Sequence, residues 1–124
     1  MAGPLNAKVI IARCSKTKKT FGIRIEQRQN DWVSTWAFKI DEKKAKHEGF
    51  HAGLVTGTMK AADGYPGCPH CRSKDLFFCL KEADGCGNIG CYDGRHGQYY
   101  TCPWCGLRCK TVESNIVDVS GGNL

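Results

Sequence analysis

The chain has 124 residues, 15 of them Gly and nine Cys, and a formal net charge of +6. That length fits one domain, because units below about 70 residues rarely bury enough apolar surface to stand alone. No run approaches the roughly 18 apolar residues of a membrane helix, and Pro4, Asn6 and Lys8 break the opening stretch, so no apolar leader is expected there and a cytoplasmic protein with no membrane partner is predicted.

The predicted elements begin with a basic, β-rich half over residues 8–63. A first apolar strand lies at Val9–Ala12, and the polar turn Ser15–Thr20 leads to Phe21, Ile23 and Ile25, which alternate with Gly22, Arg24 and Glu26. That period of two marks a half-buried strand. After the turn at Arg28–Asp31, alternation of Trp32, Trp36, Phe38 and Ile40, interrupted by Ser34, predicts a third strand with one aromatic face toward a core. Asp41 as N-cap and Gly49 as stop frame a short helix. A fourth short strand is expected in Leu54–Met59, and another at Asn115–Val119, before a disordered tail at 120–124.

Residues 64–110 form a cysteine-rich half in which loops replace apolar strands. Eight of the nine cysteines fall between Cys68 and Cys109. In a reducing compartment, clustered cysteines are more often metal ligands than disulfides, and an odd total suits a closed disulfide set poorly. Tyr65–Cys71 (YPGCPHC) and Tyr99–Gly106 (YYTCPWCG) are near copies of one phrase. Two cysteines with two residues between them turn both sulfurs toward one point, and Pro and Gly favour the tight turn required. Arg72 stands where the second phrase has Gly106.

Each such knuckle supplies two ligands, and a tetrahedral site needs four. Cys68, Cys71, Cys79, Cys86, Cys91, Cys102, Cys105 and Cys109 are the candidate ligands, with His96 a possible substitute for Cys91 or Cys109. They suffice for two zinc ions, with at least one expected; iron is the rival metal. Three pairings are open. One is sequential, Cys68, Cys71, Cys79 and Cys86 on one ion and Cys91, Cys102, Cys105 and Cys109 on the other; another joins Cys68 and Cys71 to Cys102 and Cys105; the third joins Cys79 and Cys86 to Cys102 and Cys105. The sequential pairing closes the shortest loops and is favoured on chain entropy. His70 is expected to point outward, Trp104 to shield sulfurs, and Cys14 to be a buried, isolated thiol on the first strand.

The fold expected is thus small α+β and mostly β, a short antiparallel sheet and one short helix packed on a zinc-ribbon-like half. No carboxylate pair, His-Glu-x-x-His or phosphate loop appears, so a non-enzymatic module is expected. Residues 1–63 hold 12 basic against six acidic side chains, and residues 64–124 hold six against six. Two four-thiolate zinc sites would bring the second half to about −4, leaving the basic surface on the first. Lys16, Lys18, Lys19, Arg24 and Arg28 make a nucleic-acid surface the alternative to protein docking.

Finally, the runs RCSKTKKTFGIRIE, WVSTWAFKI, HEGF, GYPGCPHC and TCPWCG, spread over Lys8 to Cys109, resemble the TerY C-terminal metal-binding domain. That family is associated with tellurite resistance and related bacterial stress-response or phage-defence systems, where it follows a von Willebrand factor A domain. The resemblance implies metal ligation by Cys68, Cys71, Cys102 and Cys105, intervening cysteines at Cys79, Cys86 and Cys91, and protein partners such as an A-domain. The stretch between Cys79 and Cys86 is longer than the family's tight pair, and the Asp-x-Ser-x-Ser motif of an A-domain is not among these residues.

Overall fold

The computed structural model describes residues 7–29, 31–50, 53–79, 85–92, 99–110 and 116–123. Nine strands and one helix follow in the order β1 (Ala7–Arg13), β2 (Thr20–Arg28), β3 (Asp31–Lys39), α1 (Glu42–His47), β4 (Gly53–Ala61), β5 (Asp75–Phe78), β6 (Ile89–Tyr92), β7 (Tyr99–Thr101), β8 (Arg108–Lys110) and β9 (Ile116–Asn123). Among the described residues the protein is mostly β, with a single short helix and two groups of cysteines.

Strands β1, β2 and β3 form an antiparallel meander, as their alternating apolar pattern predicts. The helix then carries the chain back so that β4 lies parallel to β3, and β9 pairs antiparallel with both β4 and β1. Because β2 covers the whole of one edge of β1, β9 must use the other edge, so β1, β2, β3, β4 and β9 close into a small barrel. Closure removes the free sheet edges that invite aggregation. Two of the pairings are parallel rather than antiparallel: β3 with β4, and β1 with β6.

Of the tail expected to be disordered, Ser120–Asn123 are instead part of the barrel, and Leu124 lies outside the described residues. Ser120 and Gly121 pair with Leu54 and Gly53, and Gly122 and Asn123 with Val9 and Lys8. Backbone hydrogen bonds hold this glycine-containing end, a source of order that side-chain patterning does not reveal.

β1 is buried on both faces. Ile10 and Ala12 face the barrel interior with Phe21, Ile23, Ile25, Trp32, Ala37 and Val55. Val9 and Ile11 face outward beneath Ala45 of α1, Phe50, Phe38, Ile40 and Trp104. The helix forms as its caps dictate: Asp41 Oδ1 accepts from the Lys44 N–H at 2.7 Å, and Gly49 ends it at φ 77°.

The single aromatic face expected of β3 is broken by a β-bulge. Arg24 pairs with Trp36 but Ile25 pairs with Ser34, leaving Thr35 as the extra residue. Its insertion reverses which residues face inward, the re-aiming that bulges produce. Trp32 is therefore in the core, Trp36 is 56% exposed, and Phe38 lies outside the barrel against Gly22, where a Cβ would meet the ring at 2.5 Å.

Candidate metal centres

The cysteine-rich segment extends the sheet. Hairpin β5–β6 joins the barrel because β6 pairs parallel with β1, Ala12 opposite Ile89 and Arg13 opposite Gly90. One step further along both strands stand Cys14 and Cys91, so strand pairing alone sets these two sulfurs side by side.

Cys14, Cys68, Cys71 and Cys91 form one group, and Cys79, Cys86, Cys102 and Cys105 a second, with all ligand atoms in each group within 4.8 Å of one another. A cation with four sulfurs at about 2.3 Å in a tetrahedron separates them by about 3.8 Å. The Cys71–Cys91 sulfurs are 3.5 Å apart, and the Cys79–Cys105 and Cys86–Cys102 pairs each 3.7 Å. All nine thiols are free, and these spacings far exceed the roughly 2.05 Å of a disulfide. Both groups can hold a metal ion with little rearrangement.

The backbone explains why. At the first phrase Cys68 N–H donates to Ser73 O at 2.9 Å, and Arg72 N–H to Cys68 O at 2.6 Å. At the second, Cys102 N–H donates to Leu107 O at 2.9 Å and Gly106 N–H to Cys102 O at 3.0 Å. Arg72 adopts φ 66° where Gly106 adopts 79°, so the arginine bears the left-handed conformation the turn demands. The long Cys79–Cys86 loop closes identically: Cys79 N–H to Asn88 O at 2.9 Å, Gly87 N–H to Cys79 O at 2.6 Å, Gly87 at φ 78°. Its extra residues lie between two ligands that keep ordinary knuckle geometry. In each turn amides also point at sulfur, Trp104 N–H to Cys102 at 3.4 Å and Cys86 N–H to Cys79 at 3.3 Å among them.

Electrostatics favour a cation at the first group. A hydrogen bond from Cys68, opposed by burial and aided by Ser15, holds the Cys91 thiol far below its usual range, at about 4. The same bond and burial push Cys68 up. Cys68, Cys71 and Cys91 thus share protons rather than ionise together, and a dication would supply the charge that favours thiolates. The Tyr65 hydroxyl, buried beside Cys68 and Cys91, has no hydrogen-bond partner among the described residues. A thiolate there would accept a hydrogen bond from it.

The grouping differs from the sequential pairing in two ways. Ligands alternate between the groups along the chain, with the Cys79–Cys86 and Cys102–Cys105 set as the second group. Loop-closure entropy cannot enforce locality, because each doubling of loop length costs only about 0.6 kcal/mol; strand pairing decides instead. Moreover Cys14, at the end of β1, takes the place assigned to Cys109. Cys109 sits on β8 opposite Tyr100, its sulfur 3.9 Å from the Tyr100 carbonyl, outside both groups. The available signal for Cys14 was its position at a strand end followed by a tight basic turn.

His96 lies outside the described residues. His70 Nε2 donates to Thr20 O at 2.9 Å, so it ties its knuckle to β2 rather than pointing to solvent. Trp104 packs on the outer face of β1, donates to Ile89 O at 2.7 Å and carries the Arg13 guanidinium 4.1 Å above its ring. It docks the second knuckle onto the barrel. Lys16, Lys18 and Lys19 are exposed on the β1–β2 turn. Arg24 and Arg28 both bind the Glu26 carboxylate, Arg28 at 3.2 Å. Among the described residues no helix is long and apolar enough to cross a membrane.

No family model, curated protein or solved structure matches this chain.

Proposed function

We propose that this chain is a non-enzymatic module held by two structural zinc ions, and that it docks other proteins in a cytoplasmic bacterial stress-response or phage-defence assembly. The observation that carries the structural role is the pair of all-cysteine tetrads. Four thiolates complete a tetrahedral shell, leaving no position for a reactive water or a substrate. The docking role draws support from Trp36, which the β3 bulge turns to solvent beside Arg24; tryptophan and arginine dominate interface hot spots. The resemblance to the TerY C-terminal domain names the class of assembly and makes a von Willebrand factor A domain the first partner to try.

Native mass spectrometry and metal analysis of the purified protein test the first part. Two zinc ions, lost on acidification together with the folded circular dichroism spectrum, are expected; a metal-free folded protein overturns it, and an absorbing, coloured protein replaces zinc with iron. Calorimetry with a purified A-domain tests the second part: binding that Trp36→Ala weakens tenfold or more is expected, and equal binding by both proteins removes Trp36 from the interface.

A nucleic-acid surface is the second reading, favoured by the exposure of Lys16, Lys18 and Lys19 on one turn. With Arg24 and Arg28 engaged by Glu26, it rests on the lysines alone. Affinity for random-sequence DNA or RNA that falls steeply with salt, and with Lys18→Glu/Lys19→Glu, would support it.

A further inference from the structure

We propose that the β1–β2 turn is itself a metal-binding knuckle whose second ligand position is Thr17, and that Cys91 fills the coordination place Thr17 leaves open. This rests on the reading of the first cysteine group as a metal centre.

The turn repeats the backbone hydrogen bonds and the left-handed residue of the Cys68–Cys71 and Cys102–Cys105 knuckles. Cys14 N–H donates to Lys19 O at 2.9 Å and Lys18 N–H to Cys14 O at 2.8 Å. These are the same offsets, five and four residues on, that join Cys68 to Ser73 and Arg72, and Cys102 to Leu107 and Gly106. Lys18 adopts φ 60°, in register with Arg72 and Gly106. Apart from Lys18 and Arg72, the only other non-glycine described at positive φ is Gln29 in the β2–β3 turn. Two of the three such residues therefore occupy the same knuckle position, a conformation costing an L-residue about 1–2 kcal/mol, and a shared geometric demand explains both.

The side chains agree. A knuckle's second cysteine accepts from the N–H two residues later, as Cys71 does from Ser73 and Cys105 from Leu107. Thr17 Oγ1 accepts from the Lys19 N–H at 3.3 Å, so its hydroxyl stands in for that sulfur. The missing thiolate arrives from β6: Cys91 Sγ takes the Ser15 N–H at 3.2 Å and lies 3.4 Å from Ser15 Oγ, resting on the same turn. The parallel β1–β6 pairing is what delivers it. One functional consequence is that the basic surface of Lys16, Lys18 and Lys19 is carried on a metal-shaped turn, so its shape depends on the ion.

Titration with cobalt(II) alone tests this through tetrathiolate absorption. Wild type is expected to fill two tetrathiolate sites, Cys91→Ser one, and Thr17→Cys/Cys91→Ser two again, whereas Thr17→Ser/Cys91→Ser stays at one. A Thr17→Cys/Cys91→Ser protein indistinguishable from Cys91→Ser, with wild type at two, overturns the proposal; a wild type without tetrathiolate absorption overturns the underlying metal reading instead. Should Cys91→Ser not fold, Thr17→Cys in the otherwise intact chain decides the matter by alkylation of the zinc-loaded protein. Protection shared between Cys91 and the introduced thiol is expected, while full protection of Cys91 with the introduced thiol labelled at a free-thiol rate refutes it.

Discussion

Replacing Cys14 by Ser and Cys109 by Ser in separate proteins should give opposite results, although the pattern of cysteines along the chain favours Cys109 as the ligand. Cys14 is wholly buried in the interior cluster and belongs to the first tetrad; Cys109 belongs to neither. Structural zinc binds with an apparent 10–16 kcal/mol or so. An even share among four sulfurs is about 2.5–4 kcal/mol each, so Cys14→Ser should weaken one of two ions roughly 60- to 700-fold. The buried hydroxyl without a metal partner adds a further cost of about 1–3 kcal/mol. Cys109→Ser should leave both affinities within a factor of about two, since an exchange away from any buried partner costs under about 0.5 kcal/mol. Competition with a chromophoric chelator measures both affinities, and native mass spectrometry counts the ions. The reasoning fails if Cys14→Ser keeps two tight ions, or if Cys109→Ser loses one.

Other substitutions test the supports of the sites. A Cβ at Gly90 would collide with the Tyr100 hydroxyl and lie 2.9 Å from Pro103 Cδ. Gly90→Ala should therefore break the 2.7 Å bond from Tyr100 to the Cys91 carbonyl, costing about 2–4 kcal/mol and lowering the melting temperature; an unchanged melt refutes the packing. Arg72→Gly relieves a left-handed arginine but adds chain freedom to the unfolded state, for a net gain of about 0.5–1 kcal/mol, read as a rise of a few degrees in melting temperature; a fall shows that the Arg72 side chain does more than turn. Tyr65→Phe removes the unpartnered hydroxyl beside Cys68 and Cys91 and should cost the first ion about tenfold in affinity as a lost outer hydrogen bond, with equal affinity as the contrary result. Falling pH protonates thiolates and expels metal, and the second group, whose Cys105 is exposed, should release its ion before the first, whose Cys14, Cys68 and Cys91 are each at most 1% exposed. Simultaneous release of both ions on stepwise acidification would count against that order.

Features encoded within a few consecutive residues were legible in the sequence. The strands over β1 and β2, the Asp41 cap, the Gly49 stop and the two Cys-Pro-x-Cys turns each depend on spacing and local chemistry, and each lies where that chemistry puts it. What depends on distant pairing was not. Nothing local to Cys14 or Cys91 announces that β1 and β6 run side by side, so the third of the open pairings, which matches the second group, could not be chosen over the sequential one, and the recruitment of Cys14 stayed hidden. The Thr35 bulge is invisible for a related reason, since Ser34 looks like a polar interruption of one face rather than the last inward residue before a change of phase. The closing strand β9 contains Ser120, Gly121, Gly122 and Asn123, a composition that argues for a loose end until a partner edge exists.

The position of the first tetrad suggests a division of labour between core and ion once the proposed metal is bound. Cys14 continues the inward-facing row Ile10, Ala12 along β1, and Cys68 and Cys91 pack in the same cluster as Phe21 and Ile89. A small barrel of short strands leaves its ends poorly filled, and apolar side chains at that end would have to come from a segment rich in glycine and turns. Two knuckle-like turns and strand β6 supply sulfur there instead, and an ion would draw them together with a directional preference that apolar packing lacks. The second tetrad has no such share in the interior; it holds β7 and β8 to the β5–β6 hairpin, while Trp104 and Arg13 attach that unit to the outer face of β1. With both centres filled as proposed, metal loss at the first should open the barrel core, whereas loss at the second should free a satellite, and only the first would be coupled to the shape of the basic turn.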